Sequence, residues 1–194
     1  MLRRFSMQRL ISMRSRRSLI SMLAATTRMR AGVALGSNLG ERLANLRNAR
    51  NDIAALSGVL PPMRSSGIYE TEPVGCEKGA GKFLNAAIEF GFAGEAEDLL
   101  HKLAVIENLL GRPATHVRNV SRTIDLDLLY FGDLEIETAE LQLPHPRMTE
   151  REFVLRPLAD ITPDRVLPKQ TESVRTLLLR IPDTGAVVRV TAEW

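Results

Sequence analysis

Asp125 and Asp127 stand two residues apart in the apolar run Thr123-Ile124-Asp125-Leu126-Asp127-Leu128-Leu129. Along a β-strand alternate side chains share a face, so both carboxylates project together with Cα atoms roughly 6.6 Å apart, while Leu126 and Leu128 point the other way into a core. Strands disfavour Asp, and neighbouring carboxylates repel, so one of them would be driven toward protonation unless a cation lies between them. Mg²⁺ suits that place, because it takes one or two carboxylates and fills its remaining positions with water and phosphate oxygens. A solvated strand face bearing two ordinary acids is the plain alternative.

The neighbourhood favours the cation. Arg112, Arg118 and Arg122 lie in the polar stretch that feeds the strand, and His145, Arg147 and Arg151 follow it. A guanidinium presents a planar fork of donors to phosphate oxygens, so this grouping suits a polyphosphate held between metal and arginine. An Arg122–Asp125 surface pair contributes about 0–1 kcal/mol and calls for no further arginines. Glu107, in the last turn of a helix where the dipole disfavours a carboxylate, adds a smaller hint of a site that needs an acceptor. Two phosphate motifs fail. Gly79-Ala80-Gly81-Lys82-Phe83 has Phe83 where a Walker loop needs Ser or Thr, and no G-x-G-x-x-G follows a strand.

The elements that must carry these residues read in order. Ala31–Leu35 is a strand, Gly36-Ser37-Asn38-Leu39-Gly40 a turn and helix cap, and Leu43, Leu46, Ala49, Ile53 and Leu56 repeat at helical spacing. Pro61-Pro62 precedes a second strand over 63–69, and Phe83 to Phe92 form a third. Leu99, Leu103, Ile106 and Leu110 mark a second helix stopped at Gly111, and Thr123 to Phe131 are the fourth strand. The order β-α-β-β-α-β predicts an α+β fold of the ferredoxin-like, split βαβ kind: an antiparallel sheet with helices on one face and the other face open for a site. Beyond it, Phe153–Leu158 is a short apolar segment and Val174, Leu177, Leu178 and Ile181 suggest a last helix.

Composition bounds the partners. The 194 residues carry a net charge of +3, but residues 1–30 hold eight Arg and no acid, so the remainder carries −5. The basicity belongs to a tail, which weakens a nucleic-acid reading of the 31–194 body, taken as one domain. Arg-rich, Ser-rich and acid-poor, residues 1–30 read as a basic extension, either a mitochondrial transit peptide or the product of a misassigned start. The first places the protein in the mitochondrion, the second in the cytoplasm. The lone Cys76 forms no internal disulfide, which suits a reducing compartment, and reads as catalytically neutral. No stretch is apolar enough to span a membrane. The expectation is a monomer acting on small molecules, without nucleic-acid or membrane partners. Two other classes remain open at this point: a nucleotidyltransferase using the same Asp pair at an α-phosphate, and an RNA-binding module, for which nine aromatic residues are few.

Taken together, Ala34-Leu35-Gly36-Ser37-Asn38-Leu39-Gly40, Tyr69-Glu70-Thr71-Glu72-Pro73-Val74-Gly75, Phe83-Leu84-Asn85-Ala86, Ile106-Glu107, Gly111-Arg112, Arg122-Thr123-Ile124-Asp125-Leu126-Asp127 and Leu143-Pro144-His145-Pro146 resemble, in order and spacing, the 6-hydroxymethyl-7,8-dihydropterin pyrophosphokinases of folate biosynthesis. The resemblance implies transfer of a diphosphoryl group from ATP, the co-substrate, to the pterin's hydroxymethyl oxygen, releasing AMP. It implies that Asp125 and Asp127 hold two Mg²⁺, that Arg112 and Arg122 stabilise transition-state charge, and that Glu107, Arg112, Arg122, Leu128, Leu141, His145 and Arg151 surround ATP. On the pterin side it implies Phe83 and Phe153 as a sandwich, with Asn85 and the Thr71–Val74 stretch, Glu72 included, reading the ring edge. The chain departs from the family where an aromatic residue often sits before the Asp pair, having Val117-Arg118-Asn119-Val120-Ser121 instead, and in carrying Ala114 and Pro146 where some members have Arg and Tyr.

Overall fold

Alternation of small and branched apolar residues after Arg28 gives a strand with one face for a core and one for a site. The computed structural model describes residues 28–73, 76–111, 121–182 and 185–194. Its elements are β1 (Arg28–Ser37), α1 (Arg42–Ala55), β2 (Val59–Ser65), β3 (Ile68–Thr71), β4 (Phe83–Ala93), α2 (Ala96–Leu109), β5 (Asp125–Phe131), β6 (Ile136–Glu137), β7 (Gln142–Leu143), α3 (Glu152–Ile161), α4 (Val174–Arg180) and β8 (Val187–Thr191). The main sheet runs β5-β1-β4-β3-β8, with β2 also on β4, and every pairing is antiparallel.

Ala31, Val33 and Leu35 of β1, the even-numbered Leu84 to Phe92 of β4, and Leu126 and Leu128 of β5 form one core with Leu46, Ala49 and Ile53 of α1 and Leu99, Leu103 and Ile106 of α2. The spacing of those helical residues is the three-and-four repeat of one buried stripe. The opposite face is not left open, which corrects the expectation of helices on one side only. Ala87, Leu129 and Tyr130 there pack against Val154, Leu155 and Leu158 of α3 and Val174 and Leu177 of α4. Sequence pattern concealed α3 because Pro157 stands inside it; the ring removes one backbone donor, but the helix buries Val154, Leu155, Pro157, Leu158 and Ile161 on a single face.

Other boundaries also shift. β1 begins at Arg28, inside the stretch read as a basic extension, with Met29 packed on the core and Arg30 paired to the buried Glu89. Pro61-Pro62 lies within β2, where the register against β4 slips between Leu60 and Arg64; an irregular strand that pairs on one side only tolerates the missing donors. β8 adds to β3 with Val188 and Val190 exposed, a strand without an apolar face for alternation to mark.

The β1–β5 ladder carries one irregularity with consequences for the site. Gly32 faces Tyr130 and Val33 faces Leu128, so Leu129 is the extra residue of a bulge, and Leu129 and Tyr130 both turn to the α3 side. The Tyr130 hydroxyl donates to Glu89 at 2.9 Å, and Arg165 stacks 4.5 Å from its ring centroid. Burial, then the Glu89 charge, pushes this hydroxyl well above its ordinary range, so it stays a donor. The ring crosses β1 at Gly32, where a Cβ would lie 2.2 Å from Tyr130 Cε1. Gly32→Ala is therefore expected to destabilise the protein by about 1–3 kcal/mol through overpacking. A lower urea midpoint at unchanged m-value would register it, whereas an unaltered midpoint would mean that the ring does not need this space.

Candidate active site

β5 starts at Asp125, and its alternation places the half-buried Asp125 and Asp127 on the α3 side while Leu126 and Leu128 enter the other core. Their cross-strand neighbours on β1 are Gly36 and Ala34, small residues that leave the volume in front of the acids empty. Gly36 also pairs with Asn85 of β4, so Asp125, Gly36 and Asn85 lie side by side across three strands. A Cβ at Gly36 would touch Asn85 Oδ1 at 3.4 Å and Asp125 Cβ and Phe83 Cδ1 at 3.8 Å, which puts this glycine midway between the acids and the Phe83–Asn85 pair.

Arg122 approaches the acids from the preceding turn, its Nη1 donating to Asp125 Oδ2 at 2.8 Å and its guanidinium carbon 6.0 Å from the Phe83 ring centroid. Its backbone is fixed by Asn38, whose Oδ1 accepts from Arg122 N–H at 2.7 Å and whose own N–H donates to Arg122 C=O at 3.2 Å. Asn38 is thus not the cap of α1, as its position in the turn suggested. The residue at the N-cap is Glu41, which makes no side-chain cap bond, while Asn38 is buried among loop backbones.

The β5 bulge presents His145. Its backbone N–H donates to Leu129 C=O at 2.8 Å, and its Nδ1 accepts from Arg147 N–H at 3.3 Å, which places the neutral ring's proton on Nε2. Burial, then the charges of Arg151 and Arg147, hold the imidazole below its ordinary value. Arg151 immediately precedes α3 and lies 5.5 Å from the ring centroid of Phe153. Across the cavity, the buried Asn85 donates to Thr71 Oγ1 at 2.8 Å, which fixes the amide's orientation and keeps its Oδ1 toward Gly36. Glu72 is exposed and paired with Lys82 at 2.8 Å.

These groups line one cavity of about 540 Å³: Asp125, Asp127, Arg122, His145 and Arg151 at one part of its wall, Thr71, Glu72, Phe83, Asn85 and Phe153 at another. Three other expected residues have their side chains outside the cavity wall. Leu128 and Leu141 are core side chains of the α1–α2 face, and Glu107 accepts from Leu126 N–H at 2.7 Å, tethering the edge strand β5 to the end of α2. Arg112 and Val74 lie outside the described residues. Sequence reasoning passed over Gln142 and Cys76, both in the cavity wall. Gln142 carries no signal of its own, and a lone thiol, here pushed up by burial, resembles any small apolar residue.

The site offers hard oxygen donors. Among the described residues no third acidic, His or Cys side chain joins Asp125 and Asp127 in a metal-ligating group. A cation there would complete its shell with water and ligand oxygens, which fits Mg²⁺ arriving with a phosphorylated substrate and does not fit a closed structural metal.

Comparison with known proteins agrees with this arrangement. Residues 32–163 match the family described as 7,8-dihydro-6-hydroxymethylpterin-pyrophosphokinase (HPPK). The chain is 47% identical over 133 residues to the 2-amino-4-hydroxy-6-hydroxymethyldihydropteridine pyrophosphokinase of Bacillus subtilis, an alignment covering 68% of this chain and 77% of that protein. It is 34% identical over 155 residues to the folic acid synthesis protein FOL1 of Dictyostelium discoideum, covering 80% of this chain but only 23% of that much longer protein. In fold it is similar to an HPPK-DHPS crystal structure in complex with substrates, with a TM-score of 0.63 at 14% identity, over 78% of this chain and 43% of that one. The profile match and the Bacillus relative together establish that the chain belongs to the 7,8-dihydro-6-hydroxymethylpterin-pyrophosphokinase family.

Proposed function

We propose that this protein transfers the diphosphoryl group of ATP to the hydroxymethyl oxygen of 6-hydroxymethyl-7,8-dihydropterin, releasing AMP, as a step of folate synthesis. The observation that carries this reading is the joint lining of one cavity by an Asp125–Asp127–Arg122 cluster and by a Phe83–Asn85–Thr71 group. The first suits a polyphosphate, the second a flat ring with a hydrogen-bonding edge.

In this mechanism the pterin hydroxyl oxygen bonds to the β-phosphorus while the bond from that phosphorus to the α,β-bridging oxygen breaks. AMP leaves with the bond's electron pair, and the hydroxyl proton passes to water. Asp125 and Asp127 would hold Mg²⁺, two ions in this reading, which supplies charge neutralisation and alignment of the phosphates. Arg122, already directed at Asp125, takes up charge on the transferred group, and Arg112 is assigned the same role. His145 Nε2–H and Arg151 donate to phosphate oxygens. Phe83 and Phe153 stack the pterin, and Asn85, locked by Thr71, reads its edge.

Several coarser assignments accompany this one. We read the sheet order with α1 and α2 on one face as a ferredoxin-like arrangement to which α3, α4 and β8 are additions. Residues 31–194, with the Arg28–Arg30 start of β1, are taken as a single domain acting as a monomer without nucleic-acid or membrane partners. Among the described residues no helix is long and apolar enough to cross a membrane. The compartment is the cytoplasm, or the mitochondrion if the stretch before β1 is a transit peptide.

Asp127→Ala should lower AMP formation at least about 100-fold while leaving the circular dichroism spectrum and melting transition intact. Near-normal turnover would remove the acids from the reaction. Product analysis with wild-type protein, ATP, Mg²⁺ and hydroxymethylpterin should give AMP; ADP would mean transfer of one phosphoryl group, and pyrophosphate release would mean attack at the α-phosphorus.

His145 gives a pH test of the fold itself. Its folded-state pKa lies below the ordinary 6.5, so between those values the unfolded chain binds the proton and the folded protein does not. Its contribution to stability is present above about pH 6.5 and is lost as pH falls toward the folded value. Urea midpoints measured across that range should fall less steeply with acidification for His145→Gln than for wild type; parallel profiles would show that the imidazole is not held neutral.

A further inference from the structure

Two stretches of chain border the cavity near Arg122, the loop that contributes Glu72 and Cys76 and the turn that contributes Arg122 itself. They meet at Glu77. Its Oε1 accepts from the backbone N–H of Ser121 at 3.1 Å and from the Ser121 hydroxyl at 2.5 Å. While its O–H donates to Glu77, the Ser121 oxygen accepts from Asn38 Nδ2 at 2.9 Å, and the same Nδ2 reaches Gly81 C=O at 3.3 Å, back on the first loop. Asn38 in turn holds both backbone polar groups of Arg122. The donors run in one direction, from the Arg122 N–H to Asn38, from Asn38 to Ser121 and from Ser121 to the Glu77 carboxylate, so the chain of bonds begins on the residue whose guanidinium meets Asp125.

Glu77 is fully exposed and belongs to no hydrophobic cluster. Its carboxyl is held below its ordinary range, chiefly by the Ser121 hydroxyl, so it is an anion when it makes these bonds. An exposed acid whose carboxylate bonds both the backbone and the hydroxyl of a residue on another segment is suited to fixing the two segments' relative place. Arg122 needs such fixing, because a guanidinium aimed at charge that develops during reaction acts only if it is in position beforehand.

We propose that Glu77 is a positioning residue for the reaction: by fastening Ser121 it joins the two cavity-bordering segments and holds the Arg122 backbone, and hence its guanidinium, at Asp125. This rests on the pyrophosphokinase reading, and the test separates the two. In Glu77→Ala, kcat/KM should fall about tenfold, with most of the loss in kcat, since Arg122 acts on the transition state more than on bound ATP. Ser121→Ala should do the same, and the double variant should be no worse than either single one, the signature of two residues acting as a unit. Glu77→Gln, whose amide oxygen still accepts from Ser121, should recover to within about threefold of wild type. The far-UV circular dichroism spectrum should be unchanged, because Glu77 belongs to no hydrophobic cluster. Independently of activity, the Ser121 and Arg122 amides should exchange with deuterium at least about tenfold faster in Glu77→Ala. Kinetics within about twofold of wild type, or fully additive losses in the double variant, would overturn the proposal, and so would unaltered amide exchange. A wild-type protein that forms no AMP would overturn the functional reading instead, and the exchange comparison would still decide whether Glu77 holds Ser121 and Arg122.

Discussion

Like charges two residues apart on a strand are the constraint around which this site is arranged. Asp125 and Asp127 share a face with their side chains half out of water, where their repulsion is screened less than it would be in bulk. The protein answers with arginine. Arg122 bonds Asp125, and Arg147 and Arg151 line the same cavity, matching the charges of Asp125, Asp127 and Glu72. In the proposed reaction a triphosphate would bring several further negative charges, and the carboxylate pair would hold the cations that offset them.

Geometry around the pair follows from what the sheet allows. Small residues at Ala34 and Gly36 keep the face clear, and the extra residue at Leu129 breaks the alternation just beyond the acids. That break has two effects. It turns Tyr130 into the α3-side core, where Glu89 takes its hydroxyl, and it frees the Leu129 carbonyl for the backbone of His145. A regular ladder would have left the His145 loop without this anchor. The bulge thus converts a strand that ends in a core into one that also organises a loop at the cavity wall.

Much of this was legible in the sequence, and what was not has identifiable physical causes. The Asp pair, Phe83 with Asn85, and the stripes of α1 and α2 are periodic features, and periodicity is what a single chain displays. Pairing across the sheet is not periodic along the chain, so the bulge at Leu129 left no trace, and neither did the partition of the Leu141 side chain into the core under α1 and α2. α3 was concealed by Pro157, and β8 by its exposed valines. The face expected to be open is half covered for the same reason: the covering elements follow the recognisable β-α-β-β-α-β order and carry weak patterns of their own. Glu107 is the instructive case. The sequence marked it as a carboxylate in an unfavourable place, and the structure gives that acid a backbone partner, the Leu126 N–H of the edge strand, which no periodicity could announce.

Glu107 and Asn38 point to one principle of construction. An acid in the last turn of α2 opposes the helix dipole, at a cost of about 0.3–1 kcal/mol, and Asn38, in the turn before α1, directs its side chain to neighbouring loop backbone. Each of these side chains binds backbone at or near β5 instead, Glu107 at Leu126 and Asn38 at Arg122. Leu126 lies between the two acids in sequence, and Arg122 pairs with the first of them, so both bonds fix the register of the charged cluster from outside the sheet. A cluster held only by its own strand could relieve repulsion by twisting the edge away from β1; tethers on both sides of Asp125 remove that freedom. Local helix stability is therefore reduced at the end of α2 while the backbone on either side of Asp125 is held in place.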